Sequence, residues 1–172
     1  MGCATGSSSN YVSIRFSDAE IIGIEYIGPL IAKASANFPH IFFMNRNVLE
    51  KTSIKRKFDI ITMMGVLCIF DHYKYAVENT LSWLRPKGKL ILHNMISEYD
   101  IDVFVKYSPL LAGVEPNELE SGWNIISQKS LSLVVEKNNA RIRLMRSFSL
   151  GIEIKKQSDV MRSWTETNIL GQ

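Results

Sequence analysis

The 172-residue chain has little of several things, and each shortage excludes a class of protein. Its two cysteines, Cys3 and Cys68, stand far apart, with no CxxC pair and no cysteine–histidine group at metal-ligand spacing, so neither a disulfide framework nor a zinc centre is expected. Excess charge is also scarce. A net charge of +3 is too small to imply a nucleic-acid partner, and the one dense basic cluster, Lys51, Lys55, Arg56 and Lys57, precedes Phe58 in a connection and reads as a solvated loop. The longest apolar run, residues 60–70, is too short to span a bilayer and contains Thr62 and Gly65. No signal peptide opens the chain, and the lipidation motif hinted at by Met1-Gly2-Cys3 needs Ser or Thr at the sixth position, where Gly6 stands. With 46% hydrophobic and 22% charged residues, the expectation is a soluble, cytoplasmic α/β protein, one domain over residues 1–172, without membrane, metal or nucleic acid.

What is present gathers at the start. In Met1-Gly2-Cys3-Ala4-Thr5-Gly6-Ser7-Ser8-Ser9-Asn10, the small residues Gly2, Ala4 and Gly6 permit a tight turn and close approach to backbone N–H groups, and Ser7 to Ser9 can cap a following helix. Residues 20–25, Glu-Ile-Ile-Gly-Ile-Glu, are apolar and end in Glu25, as a buried parallel strand carrying a ribose-binding carboxylate would. A carboxylate suits that place because its oxygens accept from both ribose hydroxyls. Loop and acid together indicate a nucleoside site. The dinucleotide fingerprint GxGxxG does not fit, since Ala4 and Ser7 occupy its second and third glycine positions, and a nicotinamide oxidoreductase is therefore disfavoured.

Alternating strand and helix signals follow, which predicts a doubly wound, mostly parallel sheet. Residues 10–16 are expected to be helical from their position after the loop, although Val12, Ile14 and Phe16 alternate as a strand would. A helix is expected from Pro29 to about Phe38, a strand over 41–45, another over 58–64 with Gly65 at its end, and a helix over 72–84 capped by Asp71 with Tyr73, Val77, Leu81 and Leu84 inward. Pro86 and Gly88 turn the chain into a strand over 89–94. Residues 100–122 read as an irregular insertion over the crevice. Ser127 should cap a helix faced by Leu131, Val134 and Val135 and ended by Asn138-Asn139, before a strand marked by Ile142, Leu144 and Phe148. The tail from Lys155 carries no convincing final strand.

In order and spacing, GCATGSSS, GIEYI, NRNVLE, FDIITMMGVL and LRPKGKLIL resemble the class I S-adenosylmethionine-dependent methyltransferases over roughly residues 2–95. The resemblance implies a Rossmann-like methyltransferase fold with S-adenosylmethionine as cofactor. Residues 1–95 would form the cofactor-binding half, 96–126 a substrate-side insertion, and 127–172 the last helix and strand with a tail. It places Gly2, Cys3, Ala4 and Gly6 in the cofactor loop, Glu25 on the ribose, Asn47 on the adenine amino group and Val48 against the ring; Tyr26 and Ile27 are expected on the other face of the adenine, Ile27 equally readily as core, and Met64 and Gly65, at a strand's carboxyl end, at the crevice wall. In that family a hydrophobic strand precedes the glycine loop, whereas here only Met1 stands there, so the sheet is expected to lack its first central strand and its closing hairpin. The implied reaction is in-line methyl transfer, which demands alignment and no fixed catalytic residue; the resemblance carries no marker of the acceptor, and a small molecule is expected because the charge argues against nucleic acid. His72, His93, Asp71 and Tyr73 are candidate bases, each more readily a capping or surface group, and Trp123 and Asn124 are candidate acceptor contacts or packing residues. A non-catalytic remnant or interaction module, able to take a strand from a partner, is the alternative.

Overall fold

The computed structural model describes residues 1–51, 54–107 and 119–147. The chain divides into two units, Met1–Ile142 and Arg143–Gln172, and every helix and strand described lies in the first. Helix α1 (Ser7–Arg15) follows the opening loop, then β1 (Ile22–Glu25), α2 (Gly28–Asn37), β2 (Phe42–Asn45), β3 (Phe58–Met64), α3 (Tyr73–Ser82) and β4 (Leu84–His93). Short strands β5 (Ile96–Ser97), β6 (Lys106–Tyr107), β7 (Glu120–Ser121) and β8 (Ile126–Ser127) lead into α4 (Gln128–Lys137). The long strands form two parallel pairs, β1 with β2 and β3 with β4; β5 pairs parallel with β8, and β6 antiparallel with β7.

The glycine turn decides α1. Gly6 is its N-cap in the left-handed conformation (φ 89°), which sets the direction of the next residues and overrides the alternation of Val12, Ile14 and Phe16. Ser7 to Ser9 lie inside the first turn, and no side chain caps the helix, contrary to expectation. Pro29 sits in the first turn of α2, where its missing N–H costs nothing. In the β1–β2 register Gly23 faces Phe43, and a Cβ on Gly23 would stand 2.3 Å from that ring.

Strand β3 falls on the expected residues. Strand β4 begins five residues early, because the Pro86–Gly88 turn joins the ladder as a bulge: pairing jumps from Phe58↔Leu84 to Ile60↔Lys89, with Lys87 at φ 66°. Asp71 does not cap α3; His72 stands at that position without a side-chain bond, since the Asp71 carboxylate is engaged elsewhere. Ser127 does cap α4, its hydroxyl accepting from Ser130 N–H at 3.1 Å. Residues 140–147 form no strand: Leu144 is exposed, and two alternating apolar residues without a neighbouring edge do not make a ladder. Residues 108–118, including Pro109, Gly113 and Pro116, together with Phe148 and the tail, lie outside the described residues.

In the core α3 packs against α4 and β4, and Ile61, Met63, Leu67, Tyr73, Ala76, Val77, Trp83, Leu131, Val134 and Val135 are buried. Burying each of the larger side chains stabilises the fold by about 1.5–3 kcal/mol. Inside this core Asn79 donates to Val48 O at 2.9 Å, and the Trp83 indole N–H reaches Lys51 O at 3.3 Å. Both bonds tie the connection after β2 to α3. Residues 1–3 lie between the two parallel pairs: Met1 N donates to Thr62 O at 2.9 Å and Cys3 N to Ile24 O at 3.0 Å. No strand bridges β1 and β3 among the described residues.

Candidate functional site

The carboxyl ends of β1, β2 and β3 meet at the opening loop. Glu25 closes β1, and its carboxylate accepts three backbone N–H groups: Ala4 on Oε2 at 3.1 Å, Tyr26 and Ile27 on Oε1 at 2.9 and 3.1 Å. Ala4 reaches this position in a left-handed conformation (φ 47°), which a tight turn demands. Loop and acid are thus one unit, and since a carboxylate offers about four acceptor positions, room remains on Oε2 for a ligand hydroxyl.

The loop glycines make the tight turn, and they also stand where side chains of the core leave no room for a Cβ. A Cβ on Gly2 would meet Val66 Cγ2 at 2.4 Å, and one on Gly6 would meet Phe43 and Phe38 at 2.8 and 2.9 Å. Their missing side chains make room for the protein's own core, and both have positive φ. Gly65, after β3, also has positive φ, yet a Cβ there would meet nothing within 4 Å. It borders open space. Cys3 contributes its backbone, while its side chain is buried beside Gly23 and burial pushes the thiol pKa up.

At the end of β2, Asn45 donates through Nδ2 to Glu25 O at 3.3 Å and Tyr26 O at 2.7 Å, and Arg46 N–H bonds Glu25 O at 3.0 Å. These bonds hold the turn after Glu25 against the turn after β2. A hollow of about 670 Å³ opens there, lined by Tyr26, Met44, Asn45, Arg46, Asn47, Glu50, Lys55 and Arg56. Asn47 accepts from Leu49 N–H at 3.0 Å and donates to Glu50 at 3.3 Å, which fixes its amide. Of the residues expected around an adenine, Tyr26 and Asn47 line the hollow, Ile27 is half-exposed beside it in sequence, and Val48 is buried with its carbonyl on Asn79. Met64 is exposed at the end of β3. Asn45 was not anticipated; only its place at the strand end, one residue before the Arg46-Asn47 turn, signalled it.

A second polar cluster lies beyond Gly65. Cys68 N–H donates to Asn94 Oδ1 at 3.2 Å, and Gly65 N–H to His93 O at 2.8 Å. Asp71 accepts from Lys106, from Ser121 Oγ at 2.9 Å and from Asn124 Nδ2 at 3.3 Å, and the Lys106 bond is the largest cause holding its carboxyl below the usual range. Asn124 is fully buried and bonds Val105 N–H and Cys68 O, each at 2.8 Å, so it is a packing residue that fastens the 103–105 segment to the loop after β3. Trp123 stacks on Tyr107 with ring centroids 5.4 Å apart. Tyr73 is buried with its hydroxyl on Asp102 at 3.1 Å; burial pushes its pKa up to about 12, which removes it as a base near neutrality. His72 lies beside Tyr75 (ring centroids 6.0 Å). No group of three or more metal-ligating side chains and no helix long and apolar enough to cross a membrane occurs among the described residues.

Comparison with known proteins bears on the same region. A family model described as a methyltransferase domain matches residues 1–88. The trans-aconitate 2-methyltransferase of Yersinia pseudotuberculosis serotype O:1b is 28% identical over 90 residues, 52% of this chain and 34% of that protein. A putative methyltransferase of Invertebrate iridescent virus 6 is 24% identical over 98 residues, 57% of this chain and 37% of that protein. The chain therefore spans about a third of the length of these curated relatives. Among solved structures, an S-adenosylmethionine-bound amino pentose methyltransferase from Micromonospora echinaspora aligns with a TM-score of 0.59 at 15% identity, covering 80% of this chain and 72% of that one. An S-adenosylmethionine-dependent methyltransferase from Clostridium acetobutylicum aligns at 0.56 and 13% identity, covering 80% and 70%. These two likenesses concern the fold, a Rossmann-like α/β arrangement.

Proposed function

This chain belongs to the class I methyltransferase-domain family, and from that premise we propose that it binds S-adenosylmethionine between its opening loop and Glu25 and transfers the methyl group to a small-molecule acceptor. The observation that carries the reading is the Glu25 carboxylate, fixed by Ala4, Tyr26 and Ile27 N–H groups with acceptor capacity left for a ribose hydroxyl. The hollow beside Tyr26 and Asn47 is large enough for the adenine, and the space beside Gly65 leaves the crevice open toward Met64. Bound there, the cofactor would supply an electrophilic methyl on a sulfonium with a good leaving group. The chain's own task is alignment for in-line displacement. Glu25 orients the ribose, Asn47 and Tyr26 hold the base end, and the backbone of residues 2–4 closes the side next to β3. The Asp71, Asn124 and Cys68 cluster builds the wall on the acceptor side. A small acceptor is supported by the trans-aconitate 2-methyltransferase relative.

Calorimetric titration of the 172-residue chain with S-adenosylmethionine and S-adenosylhomocysteine tests the reading. Binding should occur and weaken on Glu25→Ala by about 1.5–3 kcal/mol, the worth of hydrogen bonds to a charged acceptor. Folded protein that binds neither ligand overturns it.

A further inference from the structure

Among the described residues, Ala4, Lys87, Trp123 and Asn139 are the non-glycine residues with positive φ. Ala4 makes the opening turn, Lys87 the bulge of β4, and Asn139 follows the end of α4, where an asparagine tolerates this conformation. Trp123, at φ 58°, has no such excuse. A bulky side chain in the left-handed region is strained, and it stays there only when its neighbours leave no alternative.

Both neighbours do so. Gly122 is buried, donates its N–H to Val105 O at 3.3 Å, and has no slack on its side-chain face, where a Cβ would stand 3.2 Å from Tyr107 Cε1. Asn124 is fully buried, with its N–H on Cys68 O at 2.8 Å, its Oδ1 accepting from Val105 N–H at 2.8 Å and its Nδ2 donating to Asp71 at 3.3 Å. Trp123 is thus clamped from either side. The clamp faces the crevice: the Trp123 backbone N–H bonds the Cys68 sulfur, and Cys68 Sγ donates in turn to Gly65 O at 3.3 Å, where the chain borders open space. The indole rests against Tyr107, whose hydroxyl is tied to Glu120 at 2.9 Å. A tryptophan used for packing alone looks different. Trp83 is 2% exposed at an ordinary φ of −89°, whereas Trp123 is only half-buried.

We propose that Trp123, backed by Tyr107, is the platform on which the methyl acceptor lies, and that the acceptor is a flat, aromatic or conjugated small molecule. The proposal rests on the reading of the crevice beside Gly65 as the site of methyl transfer. Residues locked in sparsely populated conformations gather at ligand clamps, because there the ligand gains from a side chain that cannot turn away. An indole face gains most from a flat partner laid against it. In-line displacement asks only that the accepting atom be aimed at the methyl carbon, and a fixed flat surface removes the tilt and slide that would misdirect it. Trp123 moves no proton; it sets which acceptors fit and how they lie.

NMR of the ¹⁵N-labelled 172-residue chain, with and without S-adenosylhomocysteine, tests the proposal, using phenol and benzoate as flat probes against cyclohexanol and cyclohexanecarboxylate. The indole N–H signal that disappears in Trp123→Phe should shift with the flat probes and stay still with the saturated ones. Flat probes should bind about three- to tenfold more tightly than their saturated counterparts. Trp123→Phe should keep most of that preference. Trp123→Gly, whose residue suits the left-handed backbone, should abolish it while the melting temperature stays within about 4 °C of the parent. A preference that survives Trp123→Gly, or a Trp123 signal that no flat probe moves, overturns the proposal and makes the residue a packing group. Loss of the cofactor site reads out separately: a chain that binds no S-adenosylhomocysteine but keeps the Trp123-dependent preference sinks the cofactor reading and leaves the platform standing.

Discussion

Three glycines with the same backbone conformation separate packing from binding. Gly2→Ala places a methyl 2.4 Å from Val66 in a conformation that costs about 1–2 kcal/mol by itself, so urea unfolding should show a loss of about 2–4 kcal/mol. Gly65→Ala carries the same backbone cost without a clash, and its methyl points into open space, so it should lower stability by only about 1–2 kcal/mol while weakening S-adenosylmethionine binding disproportionately in calorimetry. Asn79→Ala strips Val48 O of its buried donor and should cost about 1–3 kcal/mol in the same unfolding assay. The place of Glu25 at the end of β1, beside the opening loop, was legible in the sequence because an acid ending an apolar run marks a strand end. The crowding at Gly2 and Gly6 was not, because Val66, Phe43 and Phe38 are brought to them only by the fold.

Among elements, α4 and the 102–107 segment are joined by one carboxylate. Burial alone would raise the Asp102 pKa, but bonds from the Ser127 N–H and hydroxyl, the Ser130 hydroxyl and Tyr73 outweigh it and hold the carboxyl below its usual range. The unfolded chain therefore takes up this proton at higher pH than the folded one. The stability it contributes is complete above the unfolded value of 3.8 and fades as pH falls through the lower folded value. Asp102→Asn should flatten that acid limb in a stability-versus-pH series while leaving the slope near neutrality as it was. Strand β3 could be read directly, since a run such as Ile60-Ile61-Thr62 has high strand propensity wherever it pairs. The early start of β4 could not, because a bulge exists only in relation to its partner strand. Asp71 was misplaced as a helix cap for a similar reason: its stronger partner, Lys106, stands 35 residues further along.

For the whole molecule, the alternation of strand and helix over the first 95 residues was enough to give the architecture, because each parallel crossover requires a helix between strands. The insertion was opaque, since two-residue strands such as β6 and β7 carry no periodicity to read. If the crevice takes S-adenosylmethionine, saturating ligand should raise the melting temperature, by about 2.7 kcal/mol of added stability at a hundred times the dissociation constant, and Glu25→Ala should abolish most of that shift at equal concentration. The bond from Ala4 N–H to Glu25 has one more consequence. It holds the opening turn in one shape without any ligand, so cutting the carboxylate away frees several backbone torsions that ligand binding at this loop would then have to order. Glu25→Gln, which keeps an oxygen for those N–H groups while removing the charge, should therefore bind more tightly than Glu25→Ala, and the gap between the two measures how far the site is rigid in advance.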